Sequence, residues 1–221
     1  MDPAKRRVKE HRIIDAAITV MAEHGFQRSK MEDIATQASL TKVTLYSYFN
    51  SKDALYYAVT YRAFQALSDV FYAAVDKHKT KTGLVSTKAI FQSFFEFCER
   101  NFLFADAMLD YFSTIRTMSM KSVPPEDKVA IANSTYFIRI QDIQNLPLKL
   151  TAKEIERGKQ DGSIRPDADT MLHTIQGWTM VTGYIKLLSA TGSNQSPLLN
   201  VDLKSIKELS LSLCEKSLAA R

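Results

Sequence analysis

Glycine is scarce in this chain, and this scarcity limits the accessible folds more than any other feature of the sequence. Only 7 of the 221 residues are glycine, a share of about 3%, whereas roughly 7% is typical. Hairpin turns and phosphate-binding loops need glycine because its backbone adopts positive φ angles at little cost. The composition therefore disfavours β-rich and nucleotide-binding folds. Apolar residues recur at helical spacing and no segment alternates with a period of two, so we expect an all-α chain.

The opening of the chain is divided into segments by residues that begin and end helices. A first helix is predicted over about 5–24, with apolar residues on one face, and Gly25 stands where a glycine commonly ends a helix. Ser29 and Glu32 have the spacing of a capping box, in which each side chain satisfies a backbone N–H group at the other residue. We therefore expect a second helix to begin at this pair.

A turn and a third helix follow at the spacing of a helix-turn-helix. The second helix is expected to end near Ala38, and Thr41 can cap a third one over about 42–49. Ser51 can cap a long fourth helix over about 52–77. Two short helices separated by a turn of three to four residues, the second with a polar outer face, are typical of DNA-binding helix-turn-helix units.

The rest of the chain shows helical spacing and few other signals. A loop rich in Lys and Thr is expected over 77–87. Thr151 and Glu154 have a second capping-box spacing, which predicts a short helix that ends near Gly162. The other predicted helices cover about 88–120, 125–145, 167–190 and 202–218.

Composition and charge exclude several classes of protein. The net charge of +5 favours a nucleic-acid partner only mildly, and a basic cluster over 5–12 is more often a solvated helix start than a DNA contact. The position of this cluster in the fold must decide between the two. The N-terminus leads into no apolar segment, and no stretch of about 18 apolar residues could span a membrane. We expect a cytoplasmic protein without a membrane partner.

Sequence motifs for catalysis and for cofactor binding are absent. The chain contains no GxSxG, GxxxxGK[ST], GxGxxG or HExxH motif. Its two cysteines, Cys98 and Cys214, form no CxxC pair, and none of the four scattered histidines stands at metal-ligand spacing from them. We therefore expect no enzyme activity, no metal and no cofactor.

Several short motifs in the first quarter of the chain stand in one register. They are Ala16-Ala17, Gly25-Phe26, Asp33-Ile34-Ala35, the run Thr44-Leu45-Tyr46-Ser47-Tyr48-Phe49, and Ser51-Lys52. Together they resemble the DNA-binding domain of the tetracycline-repressor (TetR/AcrR) family of bacterial transcription regulators. The resemblance implies a three-helix helix-turn-helix domain over 1–51 and a larger helical domain for ligand sensing and dimerisation over 52–221.

Two positions depart from the family pattern. Ser39 in the turn and Val43 near the start of the third helix stand where the family commonly has glycine. A left-handed backbone at Ser39 would cost about 1 kcal/mol or somewhat more without glycine. Val43 changes which base edge the third helix can touch.

The resemblance implies a DNA interface built on the third helix. The outer face of this helix would enter the major groove, while Tyr46, Tyr48 and Lys52 would hold phosphates, as would the start of the second helix. The residues predicted to contact DNA are Lys30, Met31, Thr41, Lys42, Val43, Thr44, Tyr46, Ser47, Tyr48 and Lys52. The alternative is a solvated face on a small helical domain.

A dense aromatic run over 91–112 allows two interpretations. Its residues could line a cavity for an apolar or aromatic ligand, or they could form an ordinary helical core, which such spacing more often indicates. Members of the family typically have a sensor domain at this place, and this resemblance makes the cavity interpretation about as strong as the core interpretation. The candidate ligand contacts are Phe94, Phe95, Met108, Tyr111, Phe112, Arg116, Tyr136, Phe137 and Trp178.

The last two predicted helices carry apolar stripes suited to a dimer interface. The candidate interface residues are Ile175, Trp178, Thr182, Ile206, Leu209 and Leu213. The family forms its dimer through a four-helix bundle at this point of the chain. Alternatively, the same stripes pack inside one chain.

These observations favour a homodimeric transcriptional regulator that binds double-stranded operator DNA and responds to a small, largely apolar ligand. Repression is favoured over activation. One alternative is a DNA-binding regulator controlled by a protein partner without a small-molecule inducer. Another is a helical carrier of apolar molecules.

Overall fold

The computed structural model describes residues 2–120, 124–191 and 201–220. Within these ranges the chain forms eleven α-helices and no β-strand, and Ile164 and Ala219 form an isolated β-bridge. The prediction of an all-α chain is confirmed. The helices are α1 (Pro3–Arg28), α2 (Met31–Gln37), α3 (Lys42–Tyr46), α4 (Lys52–Lys77), α5 (Gly83–Arg100), α6 (Phe102–Ser119), α7 (Pro125–Ala132), α8 (Thr135–Ile143), α9 (Leu146–Gln160), α10 (Thr170–Thr191) and α11 (Leu203–Leu218).

The chain divides into two compact units. Unit 1 consists of Met1–Phe64 and Phe102–Ile143, and unit 2 consists of Gln65–Asn101 and Gln144–Arg221. The first half of α4 belongs to unit 1 and its second half to unit 2. The predicted functional boundary between residues 51 and 52 is a different division, and it stays a prediction.

The core of unit 1 is built mainly from the first four helices. Ile13 and Ala17 of α1, Ile34 of α2, Leu45 of α3 and Val59 of α4 are fully buried. Each of these helices buries one apolar face against the others, and the short helices α2 and α3 depend on this packing for their stability. Two residues from later in the chain join the same cluster, and they are Ala107 of α6 and Tyr136 of α8.

Unit 2 depends on close approach between α5 and α9. A Cβ atom added at Gly83 would lie 2.1 Å from the backbone nitrogen of Gly158, so a larger residue does not fit at the start of α5. The Gly83 N–H donates to Asp161 at 2.7 Å, and the guanidinium of Arg157 pairs with the buried carboxylate of Glu154 at 2.6 Å. These polar contacts satisfy groups that the tight helix contact removes from water.

Both predicted capping boxes are wrong. Ser29 donates its hydroxyl to the carbonyl of Gly25 at 2.8 Å, and α2 begins after Lys30 without a side-chain cap. Thr151 and Glu154 both lie inside α9, which begins five residues before Thr151. Ser29 is hydrogen-bonded to the last turn of α1, and Glu154 is hydrogen-bonded to Arg157. Spacing alone does not show these competing bonds.

Other helix ends agree with the predictions more closely. The expected end of the first helix appears as a kink at Gly25, where φ is 75°. Thr41 and Ser51 accept hydrogen bonds from the N–H groups of Thr44 and Ala54, so both predicted caps are confirmed. The predicted helix over 125–145 is two helices, α7 and α8.

Among the helices of the described ranges, none has the length and apolar character that a membrane span requires.

Candidate nucleic-acid interface

The turn between α2 and α3 has a strained residue and a tie to α1. Ser39 adopts a φ of 53°, the left-handed conformation that glycine adopts more easily. The guanidinium of Arg12 donates to the carbonyl of Ala38 at 2.6 Å, just before this residue. A side chain from α1 thus fixes the turn. It holds α3 in place against the other helices of the group formed by α1, α2, α3 and the first half of α4, which we call the head.

The short helix α3 has one buried face and one exposed face. Leu45 is fully buried in the core of unit 1, and Phe49, just beyond the helix end, is also buried. On the opposite side Lys42 and Ser47 are exposed, and Val43 is 81% exposed although it is a large apolar residue. A rigid helix with small, polar and methyl-bearing groups on its outer face has the size and chemistry to enter the major groove.

The charge on this face is partly balanced. The ammonium of Lys42 forms an ion pair with Glu32 of α2. The hydrogen bond between them lowers the pKa of the Glu32 carboxyl and raises the pKa of the Lys42 ammonium, so both groups are charged at neutral pH. The same ammonium lies 5.8 Å from the centre of the Tyr46 ring. DNA would therefore compete with Glu32 for Lys42.

The residues predicted to meet phosphates lie around α3 in different environments. Tyr46 and Lys30 are exposed, and Tyr48 is half-buried. The side chain of Met31 is buried, so only its backbone N–H could reach a phosphate. Thr41 and Thr44 hydrogen-bond each other at 2.9 Å.

Lys52 has a role that the sequence did not reveal. Its ammonium donates to the carbonyls of Phe26, Gln27 and Ser29 at 2.9, 3.2 and 3.2 Å, and it lies 4.5 Å from the centre of the Phe26 ring. All three of its N–H donors are therefore used to hold the end of α1. A phosphate contact by Lys52 would replace or share these bonds.

The basic cluster at the start of the chain lies beside the candidate interface. The guanidinium of Arg6 is 5.5 Å from the centre of the Tyr48 ring, a cation–π distance. Lys5, Arg7 and Lys9 are exposed on the same helical segment. The basic cluster over 5–12 is visible in the sequence, but only the fold shows that it lies next to the end of α3.

The candidate ligand contacts divide between the two units. Met108, Tyr111, Phe112, Arg116, Tyr136 and Phe137 belong to unit 1, whereas Phe94, Phe95 and Trp178 belong to unit 2. In unit 2 the rings pack with their neighbours: Phe94 lies 4.8 Å from Trp178, and Phe95 lies 5.0 Å from Tyr184. A groove of about 310 Å³ between α4 and α5 is lined by none of these candidates.

Tyr111 is the most informative candidate in unit 1. Its ring is buried against Phe64, Phe112 and Phe137, with ring centres 5.3 to 5.8 Å apart. Its hydroxyl is buried and has no hydrogen-bond partner in the described part of the chain. Burial raises the pKa of Tyr111 to about 12. A buried donor without an acceptor is costly, and such groups often mark the place of a missing ligand or water.

The candidate dimer residues lie mostly on exposed helix faces of unit 2. Ile175, Leu209 and Leu213 are exposed, and Thr182 and Ile206 are partly exposed. Leu172, one turn before Ile175, is exposed as well. Trp178 is the exception, because its ring is partly buried against Phe94 within the same chain.

Comparison with known proteins identifies relatives of the head and of the whole chain. Residues 13–59 match the family model described as bacterial regulatory proteins, tetR family. The chain is 25% identical over 200 residues to IcaR, a negative transcriptional regulator of a biofilm operon in Staphylococcus aureus. That alignment covers 87% of this chain and 98% of IcaR.

Two solved regulators share the fold at 18% sequence identity. FadR from Bacillus subtilis, solved in complex with stearoyl-CoA, has a TM-score of 0.63 over 94% of this chain and 98% of FadR. The ketosteroid transcriptional regulator KstR2 from Mycobacterium tuberculosis has a TM-score of 0.65 over 96% of this chain and 95% of KstR2. At this identity the two likenesses concern the fold alone.

Proposed function

We propose that the chain is a transcriptional repressor of the TetR family of bacterial regulatory proteins, whose family model matches residues 13–59. It would bind operator DNA as a homodimer and release it when a largely apolar ligand binds. The observation that carries the DNA-binding part is the outer face of α3. Lys42, Val43 and Ser47 project from a helix whose other face is locked into the core of unit 1. Repression is supported by IcaR, a negative regulator similar to this chain over most of its length.

The homodimer is supported by the apolar stripes of α10 and α11. Leu172 and Ile175 on α10, and Leu209 and Leu213 on α11, recur at spacings of three and four residues and stay exposed in the single chain. Contiguous exposed apolar surface is typical of an interface. Two heads joined in this way would meet two half-sites about 34–36 Å apart, or a multiple of one helical turn.

The ligand is proposed to bind in unit 1, against the aromatic cluster of Tyr111, Phe112 and Phe137. The cluster would accept an apolar body, and the Tyr111 hydroxyl would donate a hydrogen bond to one acceptor oxygen of the ligand. The stearoyl chain of the stearoyl-CoA bound to FadR is apolar and ends in a carbonyl oxygen, and the ketosteroids after which KstR2 is named are apolar ring systems with a ketone oxygen. A ligand that binds better to a DNA-incompetent arrangement shifts the protein away from DNA.

Electrophoretic mobility shift with the DNA upstream of the protein's own gene tests the DNA-binding part. We expect a specific complex that is competed by unlabelled upstream DNA and not by random DNA. A complex that both DNAs compete equally, or no complex at all, contradicts the proposal and favours the carrier alternative.

Native mass spectrometry of the purified protein tests the ligand part. We expect a dimer that retains a small molecule, and mobility shift with that molecule added is expected to show release of DNA. Binding should also raise the unfolding temperature, because ligand at a hundredfold excess over its Kd contributes about 2.7 kcal/mol. Specific DNA binding that no retained or added apolar molecule changes would favour control by a protein partner.

A further inference from the structure

Tyr136 is buried in the core of the helix-turn-helix head although it lies more than 80 residues further along the chain. It belongs to α8, and its side chain is 6% exposed. The hydrophobic cluster that contains Tyr136 otherwise consists almost entirely of residues from α1 to α4. A single residue of α8 therefore completes the packing of the head.

Three contacts join Tyr136 to different parts of the head. Its hydroxyl donates to the carboxylate of Glu10 on α1 at 2.8 Å. Its ring stacks on Phe49, just after α3, with centres 6.1 Å apart, and meets Tyr61 of α4 edge-on at 5.6 Å. Burial and the bond to Glu10 raise the pKa of the Tyr136 phenol, so it stays a neutral donor at physiological pH.

The outer side of the Tyr136 ring is also covered. The guanidinium of Arg139, three residues later on α8, lies 5.0 Å from the ring centre. The ring is thus fixed between its own helix and the end of α3. The hydrogen bond to Glu10 then sets the distance between α1 and this end of α3.

The next residue on α8 makes contacts of a different kind. Phe137 lies 5.4 Å from the ring of Tyr57 and 5.3 Å from the ring of Tyr111, whose hydroxyl is buried without a partner. Consecutive residues of one short helix therefore differ in their contacts: Tyr136 contacts only the head, whereas Phe137 contacts both Tyr57 of α4 and Tyr111 of the candidate ligand cluster. In a helix of nine residues, a displacement of Phe137 would also displace Tyr136.

We propose that Tyr136 is a positioning residue that holds the end of α3 against α1 in the arrangement that reads DNA, and that α8 carries the effect of a ligand at the Tyr111–Phe137 cluster to the head. This inference rests on the proposed DNA-binding function. The regulating element is then α8, which the sequence motifs do not reveal. Tyr136, predicted as a ligand contact, thereby acts on the DNA side of α8.

The substitution Tyr136→Phe tests this role because it keeps the ring and removes only the hydrogen bond to Glu10. We expect operator affinity to fall about tenfold, which corresponds to about 1.4 kcal/mol. The dependence of affinity on salt should not change, because no phosphate contact is lost. Glu10→Ala, which removes the acceptor oxygens, should weaken binding to a similar extent, and the double variant should be no weaker than either single one, since both substitutions remove the same bond.

Tyr184→Phe is the matched control. Tyr184 of α10 is buried in unit 2 and donates to the carboxylate of Glu99 at 2.6 Å, so this variant loses a bond of the same type away from the head. We expect its operator affinity to equal that of the wild type. If Tyr184→Phe weakens binding as much as Tyr136→Phe, the effect is one of general stability and the inference is overturned.

Amide hydrogen exchange on the DNA-free protein gives a second readout that does not depend on the proposed function. In Tyr136→Phe we expect the amides of 42–49 to exchange about tenfold faster, with those of α10 unchanged. Unchanged exchange over 42–49 overturns the inference. Faster exchange in a protein that binds no DNA would confirm the positioning role and contradict the proposed function, so the two failures are distinguishable.

Discussion

Large apolar side chains are exposed both on α3 and on the last two helices, α10 and α11, and the surroundings of the two regions differ. On α3, Val43 stands almost alone among short polar side chains and the lysine of an ion pair. On α11, Leu209 is 60% exposed and shares its face with Leu213 one turn later, and α10 carries a parallel case in Leu172 and Ile175. The first region has the chemistry of a surface that reads a groove, and the second that of a surface that meets another apolar surface.

Exposure of an apolar side chain does not by itself identify its partner. A single methyl-bearing residue such as Val43 can contact the thymine methyl group. The hydrogen-bond donors beside it can bind to base edges. A continuous apolar stripe offers nothing to a charged nucleic acid, and it gains most from burial against a second copy. Substitutions in and around these regions test this contrast.

The largest effect is expected from Leu209→Asp. Burial of an unpaired carboxylate in an apolar interface costs several kcal/mol, so the variant should sediment as a monomer and lose more than a hundredfold in operator affinity. Because Leu209 is exposed in the single chain, the monomer should keep its helical circular dichroism. Val85→Asp, at another exposed apolar residue of unit 2, is the control and should remain a dimer.

A substantial loss of stability is expected from Lys52→Ala. The variant removes a charged group that donates to three backbone carbonyls at the end of α1, and chemical denaturation should show a loss of about 2 kcal/mol. Lys30→Ala, at an exposed lysine without such bonds among the described residues, should change the unfolding free energy by less than about 0.5 kcal/mol. Equal effects at both positions would show that Lys52 does not hold the head.

Tyr111→Phe should raise the free energy of unfolding, in contrast to Lys52→Ala. The substitution removes a buried hydroxyl that has no partner, so the unfolding free energy should rise by about 1 kcal/mol while ligand affinity falls. Tyr56→Phe is the contrast, because Tyr56 donates to Asp110 at 2.9 Å and its loss should destabilise unit 1. A loss of stability in Tyr111→Phe would mean that the hydroxyl already has a partner in the protein.

Ser39→Gly should have the smallest effect. Glycine relieves the left-handed strain at this turn but adds entropy to the unfolded chain, and the two terms leave a net gain of about 0.5 kcal/mol. Thermal unfolding checks this gain, and operator affinity should not change. A net loss would show that the Ser39 side chain contributes to the turn.

Several parts of the head were predictable from local signals because contacts between near neighbours determine them. Thr41 caps α3 through Thr44, and Gly25 ends the regular part of α1 through its own backbone. Such features are readable from a few adjacent residues, as are the all-α class and the family resemblance.

Other predictions failed because a competing partner was nearer or much farther along the chain than the pattern showed. Ser29 is predicted to cap α2, but its hydroxyl donates to the carbonyl of Gly25 at the end of α1. Tyr136 looked like any aromatic residue at helical spacing, and its bond to Glu10 spans 126 positions. The candidate ligand contacts divide between two units, which spacing within single helices cannot show.

Selection of bound sequences from a random duplex library tests whether α3 reads DNA sequence. We expect Lys42→Ala and Val43→Ala to select sequences that differ from those of the wild type, because base edges carry identity. Lys30→Ala, at a predicted phosphate contact, should select the wild-type sequence with weaker affinity and a salt slope reduced by about one unit. If Lys42→Ala and Val43→Ala select the wild-type sequence with unchanged affinity, α3 is not the reading helix.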